Sequence, residues 1–191
     1  MRIRHLLIAA ALAAVSATGW SAPVVYEGVL VPSVPVSGSV GGFSWFLNEG
    51  SQVDYWHFNG SAGQTVTVTV NRLNGNLDPA LSFYSGSTSA DTSAFVAGAN
   101  WGGLTFLGSL DDEHAAFVTP GPGGDPFGSF VLPSTGAYTV VVGGSDSTDA
   151  GAYPYRLTVT VAAPVPEPSV VAMFAVGLAG VGWLRRRRRS T

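Results

Sequence analysis

Two stretches alternate apolar and polar residues so strictly that only an extended chain can use the pattern. In residues 64–70 every second position is Val with Thr between, and residues 153–161 repeat the rhythm with a larger apolar set. A period of two sends one set to each face of a sheet, whereas a helix would scatter the valines around its circumference. Further extended candidates are 24–31, 42–47, 53–59, 80–84, 115–119, 127–132 and 137–142. Between them lie the turn signals Asn59-Gly60, Asn74-Gly75, Ser85-Gly86 and the glycine-rich run 121–124. No segment from Val24 to Val161 carries a helical stripe. Seven to nine short strands of this kind predict an all-β domain over residues 20–163, an antiparallel β-sandwich of jelly-roll or immunoglobulin-like form. Pro154 inside its strand places it at a sheet edge or at the very start of pairing.

Composition narrows what such a domain can do. The chain has no Cys, which removes disulfides, zinc-thiolate sites and thiol catalysis together. Its formal charge of −3 conceals segregation, because seven of the nine arginines lie in the two ends. Between Trp20 and Pro164 only Arg72 and Arg156 oppose eleven acids, leaving the domain at −9. A nucleic-acid surface needs clustered cations, so that class is excluded and a cation partner suits the sign better.

The ends read as targeting segments. Arg2 and Arg4 precede an unbroken run of ten apolar residues, 6–15, and then the small residues Ser16, Ala17, Thr18 and Gly19. That is a secretory signal over residues 1–19, removed by signal peptidase after Gly19 or, with bulkier neighbours, after Ala22. At the other end, residues 169–184 form sixteen uncharged positions followed by Arg185, Arg186, Arg187, Arg188 and Arg189. As a transmembrane helix they would cover about 24 Å of a hydrocarbon core near 30 Å, a marginal anchor in the inner membrane. The arginine cluster holds its side in the cytoplasm, so the domain is expected outside.

In the tail 164–191, the order Val165-Pro166-Glu167-Pro168, short apolar helix, terminal arginine cluster resembles the PEP-CTERM sorting signal of Gram-negative bacteria over residues 165–189. The resemblance implies an exosortase partner that recognises Pro166, Glu167 and Pro168 and releases the protein from a transient single-pass anchor. The prolines deny helical hydrogen bonding where the chain leaves the membrane, keeping an extended strip accessible. The mature protein is then expected at the cell surface or outside the cell, in or near an exopolysaccharide or biofilm matrix.

Residues 50–161 resemble the bacterial pre-peptidase C-terminal domain, a β-sandwich often appended to secreted peptidases. Asp54-Tyr55-Trp56-His57-Phe58 with Gly63-Gln64-Thr65-Val66 is similar to its opening strand pair, and Leu77-Asp78-Pro79-Ala80-Leu81 to its middle strand. Asp111-Asp112 looks like its acidic loop, and Pro133-Ser134-Thr135-Gly136 with Gly151-Ala152-Tyr153 like its closing strands. The stretch 85–110 is longer than that pattern expects, which leaves strand register there open.

Nothing marks a catalytic residue. His57 and His114 are the only histidines beyond the signal, and no Gly-x-Ser-x-Gly elbow accompanies them. Two histidines are also too few for an ordinary zinc site. Asp111, Asp112 and Glu113, joined by Asp78 or Asp125, offer oxygen ligands instead and point to calcium as the one candidate cofactor. The bland alternative is a solvated acidic turn. Trp45, Trp56 and Trp101 with Phe43, Phe46, Tyr55 and Phe106 make either core or an aromatic platform for sugar rings. Trp101, within Ala99-Asn100-Trp101-Gly102-Gly103, is the platform residue expected in a displayed loop. The leading expectation is a non-catalytic exported protein associated with extracellular polysaccharide. The alternatives are a carbohydrate- or calcium-binding accessory module for a secreted enzyme, and a small secreted hydrolase.

Overall fold

Val66, Val68 and Val70 are completely buried while Thr65, Thr67 and Thr69 stay half-buried, as the period of two demands. They belong to β4 (Thr65–Arg72) of a two-sheet sandwich. The computed structural model describes residues 22–116, 119–145 and 151–162, with Phe174 and Leu178 as isolated helical, exposed positions. The expected signal peptide 1–19, Val165 to Pro168, the span 169–184 apart from those two positions, and Arg185 to Arg189 lie outside the described residues.

The remaining strands are β1 (Tyr26–Val29), β2 (Val36–Gly41), β3 (Asp54–Gly60), β5 (Pro79–Ser85), β6 (Thr105–Leu110), β7 (Phe127–Val131), β8 (Gly136–Gly144) and β9 (Ala152–Ala162). One sheet runs β1-β3-β8-β5-β6 and the other β2-β9-β4-β7. All pairs are antiparallel except β1 with β3. The core between the sheets joins Val66, Val68, Val70, Leu157 and Val159 to Phe58, Leu81, Phe83, Tyr138 and Val140. Phe58, Tyr138, Phe83 and Phe130 stack in series, with centroids 5.5, 5.8 and 4.5 Å apart. Each such side chain contributes about 1.5–3 kcal/mol by leaving water.

Two strand expectations are corrected. Residues 42–47 form turns, and the strand lies just before them at β2, whose register Val36↔Leu157 to Gly41↔Ala152 is set by pairing with β9. Its Val-Ser-Gly-Ser-Val-Gly sequence has weak strand propensity, so the partner decides. Residues 115, 116 and 119 are not in a strand, while β6 falls inside the long stretch after Ser85. Pro154 lies in a strand flanked by partners on both sides; it pairs with Ser39, and the β4 register begins one residue later at Arg72↔Tyr155. Its missing N–H thus falls at the start of pairing.

The long stretch 86–104 folds back over the outer face of the five-stranded sheet. There Phe95, Trp101 and Leu104 pack on Tyr55, Tyr84 and Val141 as a second apolar cluster. β5 is therefore buried on both faces from Pro79 to Tyr84.

Candidate metal centre

The antiparallel register of β5 and β6 brings three carboxylates to one end of the sandwich. Leu81 pairs with Leu110, so Asp78, just before β5, meets Asp111 and Asp112, just after β6. One carboxylate oxygen from each lies within 4.8 Å of the others. The site of Asp78 is closed, with a side chain only 8% exposed. Its Oδ2 accepts a hydrogen bond from Ser145 Oγ at 3.3 Å, and its carbonyl accepts from Ser145 N at 2.8 Å. Its Oδ1 is buried and receives no hydrogen bond.

The glycine-rich loop before β7 completes the site. Gly123 adopts φ +59°, the left-handed region that glycine enters without strain. A Cβ at this position would lie 2.5 Å from Asp78 Oδ1 and closer still to Asp112 Oδ1. Two carboxylate oxygens thus converge on a space that only glycine leaves open. Asp112 Oδ1 also accepts from Gly124 N at 2.5 Å.

Arg72 at the end of β4 clamps this loop. It is fully buried, donates from Nε to Asp125 Oδ1 at 2.7 Å, and donates from its two terminal nitrogens to the carbonyls of Pro122 and Gly124. Asp125 takes most of its charge, and Asp78 Oδ1 lies 3.8 Å from Nη2. Burial therefore dominates at Asp78, reinforced by Asp112 and Asp111 and opposed by Arg72 and Ser145, and pushes its pKa up to about 7. A buried carboxylate with an unfilled lone pair beside two more carboxylates favours a hard cation that takes oxygen ligands.

Of the residues read from sequence, Asp78, Asp111 and Asp112 come together. Glu113 turns back to accept from Asp111 N at 2.8 Å, and Asp125 serves Arg72. Sequence reasoning did not single out Gly123 or Arg72 for this site. The glycine run 121–124 was read only as a turn, and the tie between Arg72 and that loop spans about fifty residues.

Trp101 is 6% exposed, so its expected display is corrected: it sits 5.5 Å edge-on to Phe95 and 5.9 Å from Tyr55 beneath the folded-back stretch. Trp56 is also core, donating from Nε1 to Tyr155 Oη at 2.7 Å. Phe43 is half-buried. Trp45, Phe46 and Phe106, by contrast, border one groove on the same outer face. His57 lies half-buried with its ring 4.8 Å from Tyr26, and His114 packs at 5.9 Å on Phe127.

Comparison with solved structures returns the same sandwich. CorA, a surface-associated copper-binding protein of Methylomicrobium album BG8, superposes with a TM-score of 0.55 at 16% identity, over 72% of this chain and 98% of its own. The pre-peptidase C-terminal domain of a Bacillus anthracis collagenase gives 0.41 at 14%, over 71% and 96%. PliG of Aeromonas hydrophila, a periplasmic inhibitor of g-type lysozyme, gives 0.41 at 21%, over 71% and 96%. At these identities the likeness concerns the fold alone. No curated protein matches the chain. Residues 52–144 match the bacterial pre-peptidase C-terminal domain and residues 164–189 the PEP-CTERM protein-sorting motif, so a pre-peptidase C-terminal β-sandwich is followed in this chain by a PEP-CTERM sorting motif.

Proposed function

We propose that this protein is a non-catalytic module of the extracellular polysaccharide matrix whose sandwich holds one calcium ion between Asp78, Asp111 and Asp112. The observation that carries the calcium reading is Asp78 Oδ1: buried, without a donor, and facing the space kept open by Gly123. Three carboxylates supply the negative charge that a calcium site needs, and nearby loop carbonyls and water are the usual source of its remaining ligands. The matrix setting is supported by the sorting motif, which directs export and exosortase processing.

Extracellular calcium modules bind in the range of about 0.1–1 mM. With a Kd of about 0.1 mM, 1 mM calcium would stabilise the fold by about 1.4 kcal/mol. Thermal unfolding of the purified protein in EGTA and in 1 mM CaCl2 tests this, the expected rise being about 4 °C. No rise with calcium, or an equal rise in Asp78→Asn, overturns the calcium reading.

A further inference from the structure

The two covers on the outer face of the five-stranded sheet leave a gap. The turn 42–49 reaches Ser82 of β5 through Trp45, and the stretch 86–104 packs on Tyr55 and Tyr84, with a gap left between them beside edge strand β6. The gap is a groove of about 370 Å³, bordered by Trp45, Phe46, Asn48, Phe106 and Ser109 and by the chain at 97–98. Its volume falls within the range of small-ligand pockets. Register explains the composition: Phe106 and Ser109 pair with Tyr84 and Ser82, so all four side chains share the outer face.

The aromatic wall is fixed before any ligand arrives. Trp45 donates from Nε1 to the fully buried Ser82 Oγ at 3.1 Å, and its own N–H donates to Gly144 O at 3.1 Å. Phe46, 71% exposed, sits within a turn tied by Leu47 N to Phe43 O at 2.9 Å and Glu49 N to Ser44 O at 2.7 Å. Asn48 adopts φ +55°, uncommon for a residue other than glycine, and accepts from Ala97 N at 2.7 Å through Oδ1. That bond joins the two covers and, because it uses only Oδ1, leaves the Asn48 amide group able to donate. A large apolar ring held in water on a stiff turn is a recognition device, because ordering it on binding costs little.

We propose that this groove binds neutral polysaccharide, one pyranose ring lying with its C–H face on Phe46 and Trp45 and its hydroxyls bonded by Asn48 and Ser109. The lining residues carry no ionisable side chain, on a domain whose formal charge is −9. An acidic polymer would be repelled by that domain and would find no cation in the groove. A neutral sugar ring matches both halves of the lining, with an apolar face for the aromatics and an edge of hydroxyls for the amide and the serine. The inference rests on the matrix reading and does not require the cation site to be filled.

Affinity electrophoresis of the full-length protein in non-ionic detergent and EGTA tests it. Native gels would contain dextran, xyloglucan or galactomannan, or alginate as the acidic counterpart. Retardation by at least one neutral polymer is expected, with at least ten-fold weaker binding for Phe46→Ala, whose exposed ring can be removed without disturbing the fold. No retardation by any neutral polymer, equal retardation of Phe46→Ala, or retardation by alginate alone overturns the proposal. So does sedimentation showing that Phe46→Ala dissolves a dimer, which would give the groove to a second copy of the chain. Cell fractionation separates the two readings: protein that stays with the matrix but passes every neutral gel unretarded sinks the groove and leaves the matrix assignment standing.

Discussion

Replacing Asp78 by Asn should stabilise the empty protein while abolishing its response to calcium. The native carboxyl titrates near 7 against an ordinary 3.8. Each unit corresponds to about 1.36 kcal/mol, so holding the group ionised above pH 7 costs the empty fold at most roughly 4 kcal/mol. Asn keeps the shape and can still accept from Ser145, and the attraction to Arg72 3.8 Å away that it forfeits is already counted in the raised pKa. Discounted for solvent screening, a gain of about 2 kcal/mol is expected, or about 6 °C in a domain of this size. The sign follows from linkage. Between pH 4 and pH 7 the folded state binds a proton that the unfolded chain has lost, so wild-type stability falls as pH rises through that window. The advantage of Asp78→Asn is therefore absent at pH 4, grows toward pH 7 and is level above it. Calorimetry in EGTA at pH 4, 6 and 8, repeated in calcium at pH 8, reads the whole pattern. A variant less stable than wild type in EGTA at pH 8, or one with the same gain at pH 4 and pH 8, would refute the reasoning.

Other consequences are as specific. Gly123→Ala should remove calcium binding and cost about 1 kcal/mol, because its methyl would occupy the gap between Asp78 and Asp112 at φ +59°; isothermal titration and calcium-free unfolding report the two effects separately. Arg72→Ala should destabilise by about 3–5 kcal/mol in chemical denaturation, since it strands buried Asp125 and releases two loop carbonyls. Tyr155→Phe should cost about 1–3 kcal/mol in the same assay, because its hydroxyl both accepts from Trp56 and donates to Asp54 Oδ2 at 2.7 Å. Calcium binding at pH 7 should release about half a proton per site, visible as buffer-dependent heat in titration calorimetry, because the site must be deprotonated to ligate.

What the sequence disclosed follows from how local each signal is. Alternation in β4 and β9 is carried by neighbouring residues, and both strands stand where the pattern puts them. β2 and β6 carry no such pattern: Val-Ser-Gly-Ser-Val-Gly and Thr-Phe-Leu-Gly-Ser-Leu have glycine where alternation needs a side chain. These two strands are fixed by their partners instead. Trp101 went astray for the same reason, because its glycine-rich surroundings read as a displayed loop while tertiary packing folds the whole stretch onto Tyr55 and Tyr84. The acidic residues were legible as a group, but their division was not. Only the pairing of β5 with β6 decides that Asp78 joins Asp111 and Asp112, and only the buried Arg72 removes Asp125.

β6 links the two sites and yields a further prediction. It carries Phe106 and Ser109 of the groove, and Asp111 follows directly after its last residue. As an edge strand it is paired on one side only, with β5, and a register shift interrupts that pairing between Phe83 and Tyr84. Such a strand opens more readily than the doubly paired β8. A cation bound at Asp78 and Asp111 would tie the start of β5 to the end of β6 and so oppose fraying at the end next to Ser109. Calcium is therefore expected to slow amide exchange in Thr105–Leu110 several-fold while leaving β4 unchanged. It should also tighten saccharide binding modestly, because a steadier groove loses less freedom when it is filled. Exchange in β6 that ignores calcium, in protein shown by titration to bind it, would separate the sites and confine the ion to holding the loops together.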